Sequence, residues 1–213
     1  MPRCLLLFLS LGLCLVMGNA IATPIALNVL SGTDWRSSDQ FQTGWSELGF
    51  NDSDWSFARA PYPGPTDPTT LIAGTEAEHM WHDPDNTSDG GTGPIQAFFR
   101  YEFDMALNGD HLPLFAQALI SVDDDYEFFV NGNLAYRNAD GGFADQVDLV
   151  DFASQLVSGR NVLAIHAVDG GWGNPWNRGY ERVLFDGVVR SAALPVPAVL
   201  PLLGVGLLGL AWF

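Results

Sequence analysis

The stretch D-D-D-Y-E-F-F-V-N-G-N-L-A-Y-R, residues 123–137, decides the fold. Two short apolar runs, residues 126–130 and 133–137, flank Asn131-Gly132. Both residues of that pair accept the positive φ that a type I′ turn requires, so the segment predicts a β-hairpin. Upstream, A-F-F-R-Y-E-F (residues 97–103) and A-Q-A-L-I-S-V (residues 116–122) are rich in aromatic and branched side chains, which suit strands. Downstream, residues 160–168 alternate, with Leu163 and Ile165 on one face and His166 on the other, and residues 182–189 read as a closing strand. Only residues 150–157 suggest a helical turn or two. The connections are full of Gly, Pro, Asn and Asp, the longest over residues 62–94 and another over 169–179. A connection that long predicts a hidden short strand or a function. Short strands, irregular loops and no long amphipathic helix imply an all-β antiparallel sandwich or barrel.

The two ends differ from this body. Met1-Pro2-Arg3 is followed by an apolar run over residues 5–18 and by Ala20-Ile21-Ala22, the pattern of a secretory signal peptide cleaved after Ala22. Residues 194–213, L-P-V-P-A-V-L-P-L-L-G-V-G-L-L-G-L-A-W-F, carry no charge. As a helix such a segment matches the hydrocarbon thickness of a bilayer, which tolerates its prolines and glycines. The expected organisation is a signal peptide over 1–22, a sandwich over 23–190 and a transmembrane sorting segment over 191–213. Export through the Sec pathway follows, with transient inner-membrane tethering and a final place at the cell surface or outside the cell.

Charge narrows the partners. The chain has 25 acidic residues and 9 basic ones, for a net charge of −16. Every basic residue is arginine. Such a surface repels nucleic acid phosphates and anionic lipids, leaving neutral glycans, cations or basic proteins as partners. Both cysteines, Cys4 and Cys14, lie in the leader, which excludes a disulfide framework and a thiolate metal site in the mature body.

The order of motifs resembles that of galactose-binding-like jelly-roll domains. N-D-S-D-W-S-F-A-R-A-P (residues 51–61), R-Y-E-F-D (100–104), D-D-D-Y-E-F-F-V-N-G (123–132) and G-R-N-V-L-A-I-H-A (159–167) are similar to successive strands of that family. The resemblance implies a jelly-roll sandwich and a sugar-binding accessory role. The tail is similar to that of PEP-CTERM exported bacterial proteins in the V-P-x-P-A variant, with Pro195-Val196-Pro197-Ala198 as the sorting motif. That likeness implies an exosortase-type processing enzyme as partner, and association with exopolysaccharide.

Several residues could bind. Aromatic rings stack on the apolar faces of sugars while flanking polar groups bond the hydroxyls. Trp172, Trp176, Asn177, Arg178 and Tyr180 share one glycine-rich loop, and Trp81 lies in the other long loop. Trp35, Trp45 and Trp55 read as core residues. Asp83, Asp85, Asn86 and Asp89 present oxygen ligands at a spacing that suits Ca²⁺. His79 and His82 form a weak zinc signal. Glu76, Glu78 and Asp124 are the carboxylates from which a glycosidase pair would come, but the chain shows no nucleophile elbow or phosphate loop. The expected function is therefore non-enzymatic glycan binding by loop aromatics. A purely structural matrix protein is the alternative, and a glycoside hydrolase or esterase the next.

Overall fold

The computed structural model describes residues 25–63, 67–88, 94–105, 111–139, 146–170 and 181–193. All of them belong to one unit, Thr23–Leu194. The leader, the sorting motif and the apolar tail lie outside the described residues. Among the described residues no helix is long and apolar enough to cross a membrane.

Among the described residues ten strands follow one another: β1 (Ile25–Leu30), β2 (Arg36–Ser38), β3 (Ser56–Phe57), β4 (Gln96–Met105), β5 (His111–Asp123), β6 (Asp125–Val130), β7 (Asn133–Asn138), β8 (Asp148–Asp151), β9 (Gly159–Val168) and β10 (Arg182–Ala193). They form two antiparallel sheets, one of four strands in the order β1-β10-β5-β8 and one of six in the order β3-β2-β4-β9-β6-β7. The described residues form the expected all-β sandwich.

The hairpin read from the sequence is β6–β7. Val130 pairs with Asn133 across Asn131 and Gly132, whose φ values are 53° and 82°. Residues 150–157 hold one of the expected helical turns, preceded by the end of a strand. Val150 belongs to β8, paired with β5, and a 3-10 turn, Ala153–Gln155, follows. The β-branched Val150 suits the edge of a sheet better than a helix start. Among its described residues, the connection over 62–94 has a helical turn, Pro68–Leu71, and is bridged at Trp81 to Arg59 and at Met80 to Val183.

Period-two alternation splits each strand between two faces. Phe99, Phe103 and Met105 of β4, Leu163 and Ile165 of β9, and Tyr126, Phe128 and Val130 of β6 face inward. They meet Ile120 and Val122 of β5 and Val183, Phe185 and Val189 of β10. Trp35 and Trp81 complete this core. The six-stranded sheet also carries a second buried cluster of Trp45, Trp55, Phe98 and Ala164, on its opposite face. That face is where the candidate site lies.

Candidate ligand cleft

Strand register builds the floor. Phe98 pairs with His166 between β4 and β9, and His166 pairs with Glu127 between β9 and β6. One step along, Arg100, Ala164 and Phe129 form the next row. Neighbouring same-face side chains across a sheet are in reach of one another. The Phe98 and His166 rings accordingly stack 4.3 Å apart at 9°. The small Ala164 leaves room above the sheet, and Trp45 fills it, touching Phe98 at 5.0 Å, Phe129 at 5.6 Å and His166 at 6.5 Å.

Trp45 comes from the connection between β2 and β3, which crosses this face. Gly44, with φ at 78°, turns the chain there, and the Glu47 N–H donates to the Gly44 carbonyl at 2.9 Å. Arg100 fastens the crossing segment to the sheet. Its guanidinium donates to the Trp45 and Glu47 carbonyls, pairs with Asp52 at 3.0 Å and pairs with Glu102 at 2.6 Å. The Arg100 side chain is fully buried, so its charge depends on these partners.

The result is an open cleft of about 450 Å³. Phe41, Trp45, Phe98 and Phe129 supply its rings, and Ser46, Glu47, Glu127 and His166 its polar groups. Phe41 is 66% exposed, and its ring lies 6.0 Å from that of Phe98. Burial pushes the His166 imidazole down to about 4, so it is neutral at physiological pH. Its Nε2 lies 3.3 Å from Gln96 Oε1, and its Nδ1 lies 3.8 Å from Glu127 Oε2. With the ring neutral, that second contact is a polar approach and not an ion pair. Glu127 is also 3.7 Å from Arg137 of β7. Rings flanked by carboxylates, an imidazole and a hydroxyl form the kind of concave surface that orients a polar ligand with an apolar face.

The residues singled out in the sequence fall elsewhere. Trp172, Trp176, Asn177, Arg178 and Tyr180 lie outside the described residues, as does Asp89. Trp81 is a correction: it has zero exposure, packs 5.9 Å from Phe99 and donates its indole N–H to the Pro94 carbonyl at 3.2 Å. The bridges at Met80 and Trp81 pull the long connection into the core, and no ring face remains for a sugar. Trp35, Trp45 and Trp55 are buried as expected.

Asp83 is occupied by the protein. Arg59 pairs with Asp83 Oδ2 at 2.6 Å, and the Thr87 and Ser88 N–H groups donate to its carboxylate at 3.1 and 3.0 Å. Although burial works against ionisation, these donors hold the Asp83 carboxyl below the usual range. Asp85 is exposed at the tip of the same loop. A calcium ion would compete with the Arg59 guanidinium for Asp83, so the residues described do not fit that reading. His79 and His82 do not form a pair either. His82 Nδ1 lies 3.0 Å from the Ser37 hydroxyl, whereas His79 is buried and pushed down to about 4 by desolvation, then by Arg182. Among the described residues no group of three or more His, Cys, Asp or Glu side chains converges on a metal position.

A second polar cluster lies at the end of β9 and the start of β10. Asp169, Glu181 and Arg182 are buried there. Asp124 accepts the Gly170 N–H at 2.5 Å. Burial, and then the neighbouring Asp124, raise the Asp123 carboxyl to about 7.

No known protein family matches the sequence, and no curated protein matches it. Solved structures do match. A β-glucuronidase from Bacteroides uniformis has 15% identity and a TM-score of 0.47, over 76% of this chain and 18% of that one. A β-glycosidase from Bacteroides vulgatus has 20% identity and a TM-score of 0.44, over 76% and 20%. A Streptomyces avermitilis α-L-rhamnosidase complexed with L-rhamnose has 21% identity and a TM-score of 0.42, over 58% and 12%. The chain thus spans a fifth or less of the length of these enzymes.

Proposed function

We propose that the chain is an exported, non-enzymatic β-sandwich that binds glycan in the cleft on its six-stranded sheet. The observation that carries this reading is the meeting of an exposed ring, Phe41, with Trp45, Phe129, Glu47 and Glu127 around one open concavity. A pyranose presents a C–H face to rings and hydroxyls to carboxylates, which is the pattern this lining complements. One stacking ring adds roughly 0.5–1.5 kcal/mol beyond area burial, so affinity for one sugar unit is modest. Repeated units along a polymer raise it by avidity.

The motifs resembling galactose-binding-like jelly rolls support the same role. Export, exosortase-type processing at Pro195-Val196-Pro197-Ala198 and placement beside exopolysaccharide complete the reading, from the composition of the two ends. Affinity measurements against a panel of polysaccharides test it. Phe41→Ala is expected to weaken binding about tenfold, the upper range of one stacked ring, with unchanged thermal stability. Binding lost only in Trp172→Ala and Trp176→Ala would assign the site to those residues and reject the cleft.

A further inference from the structure

The polar side chains of the cleft are unbalanced in charge. Glu47 and Glu127 edge it, and burial leaves the imidazole there, His166, uncharged at neutral pH. Arg100 lies beneath the crossing segment and is engaged by Asp52 and Glu102. Arg137 approaches Glu127 at 3.7 Å but is itself half exposed, so water and salt screen it. Aromatic faces add to this, because the π cloud of a ring attracts a cation, most strongly when the cation is partly desolvated. An anionic sugar would meet two carboxylates and four rings, in a chain whose net charge is −16. A neutral sugar would bond the carboxylates through hydroxyls. A protonated amine would gain a charge-assisted bond to the same oxygens.

We propose that the cleft selects glycans bearing a free ammonium group, the 2-amino-2-deoxyhexoses of de-N-acetylated hexosamine polymers. This rests on the glycan-binding reading above and deepens it. The pyranose C–H face lies on Phe41, and the ammonium is directed to Glu127 with Glu47 as the second acceptor. N-acetylation removes the charge and adds bulk beside Glu127, so the acetylated sugar is the natural competitor to discriminate against.

The test titrates the full chain with short glucosamine oligosaccharides and with N-acetylglucosamine oligosaccharides of the same length, at low and high salt. The expected result is a preference of about tenfold or more for the free amine, as one charge-assisted bond would give, shrinking as salt is added. Glu127→Gln should erase the preference while leaving the acetylated sugar bound. Glu47→Gln, at an exposed position, repeats the test without disturbing a sheet residue. Phe41→Ala should weaken both ligands. Equal affinity for the two, or a preference for the acetylated one, overturns the inference and leaves glycan binding standing. A preference unchanged by all three substitutions means general attraction of a cation to an acidic protein, and overturns it too. Failure of both sugars to bind overturns the inference, and failure of the whole polysaccharide panel overturns glycan binding as well.

Discussion

At the residue scale, Arg100 is the side chain on which the candidate site depends most. It is buried, it pairs with two carboxylates, and it bonds the backbone that carries Trp45 and Glu47. Removing one member of a buried ion network leaves the others uncompensated. Arg100→Met is therefore expected to destabilise the fold by about 3 kcal/mol and to release the crossing segment. Urea denaturation followed by tryptophan fluorescence measures both, and an unchanged midpoint would refute that role. The Asp123 carboxyl makes a pH prediction. Its folded value is raised to about 7 by burial and by Asp124, so the folded protein keeps a proton that the unfolded chain releases near pH 4. The stabilisation is complete below the unfolded value and is lost as pH rises through about 7. The histidines have an ordinary value of about 6.5 and are pushed down in the fold, so above pH 7 they are mostly neutral in both states. Because the histidines titrate alike in both proteins, the melting temperature of wild type minus that of Asp123→Asn should fall as pH rises from about 4 to 7 and level off above 7. A difference independent of pH across that range would contradict it.

At the element scale, the β6–β7 hairpin ties the fold to the site. Gly132 sits at φ 82°, and a Cβ there would lie 2.9 Å from Glu47 Cγ. The turn thus fits only a glycine, for its own geometry and for the segment resting on it. Gly132→Ala should cost about 1 kcal/mol or more and shift the backbone at Glu47. Thermal melts and amide shifts of Glu47 would show it, and a neutral substitution would mean the contact relaxes freely. This hairpin was legible because Asn-Gly is a local signal with one favoured geometry. The alternation of residues 160–168 was equally plain, and it placed His166 opposite Leu163 and Ile165. What the strand pattern did not reveal was the depth of burial on the outer face. Phe98 and Phe129 are aromatic residues at positions that alternation assigns to solvent, and that was the available signal for a covering segment. The cover itself, residues 39–55, lacks strand or helix periodicity, so its docking through Arg100 depends on contacts distant in sequence.

At the scale of the whole molecule, the anionic sandwich was readable from composition and turn spacing, and the two sheets follow from it. The choice of binding residues was less readable. Loop composition made Trp81 resemble a ligand-facing ring, but two isolated bridges carry it into the core. Acidic spacing made Asp83 resemble a calcium ligand, but Arg59 already neutralises it. In both cases a nonlocal partner decided the outcome. The exposed Phe41, by contrast, lies in a segment with no binding motif, and only its meeting with Glu127 and Phe129 across the cleft gives it a role.

The most direct test of glycan binding on the six-stranded sheet is an NMR titration of the labelled protein with a short oligosaccharide drawn from the binding panel. The account predicts saturable shifts at the Trp45 indole and at the Phe41, Glu47, Glu127 and Phe129 amides, with the four-stranded sheet unmoved. Saturable shifts confined to other surfaces, with these five residues silent, would contradict it.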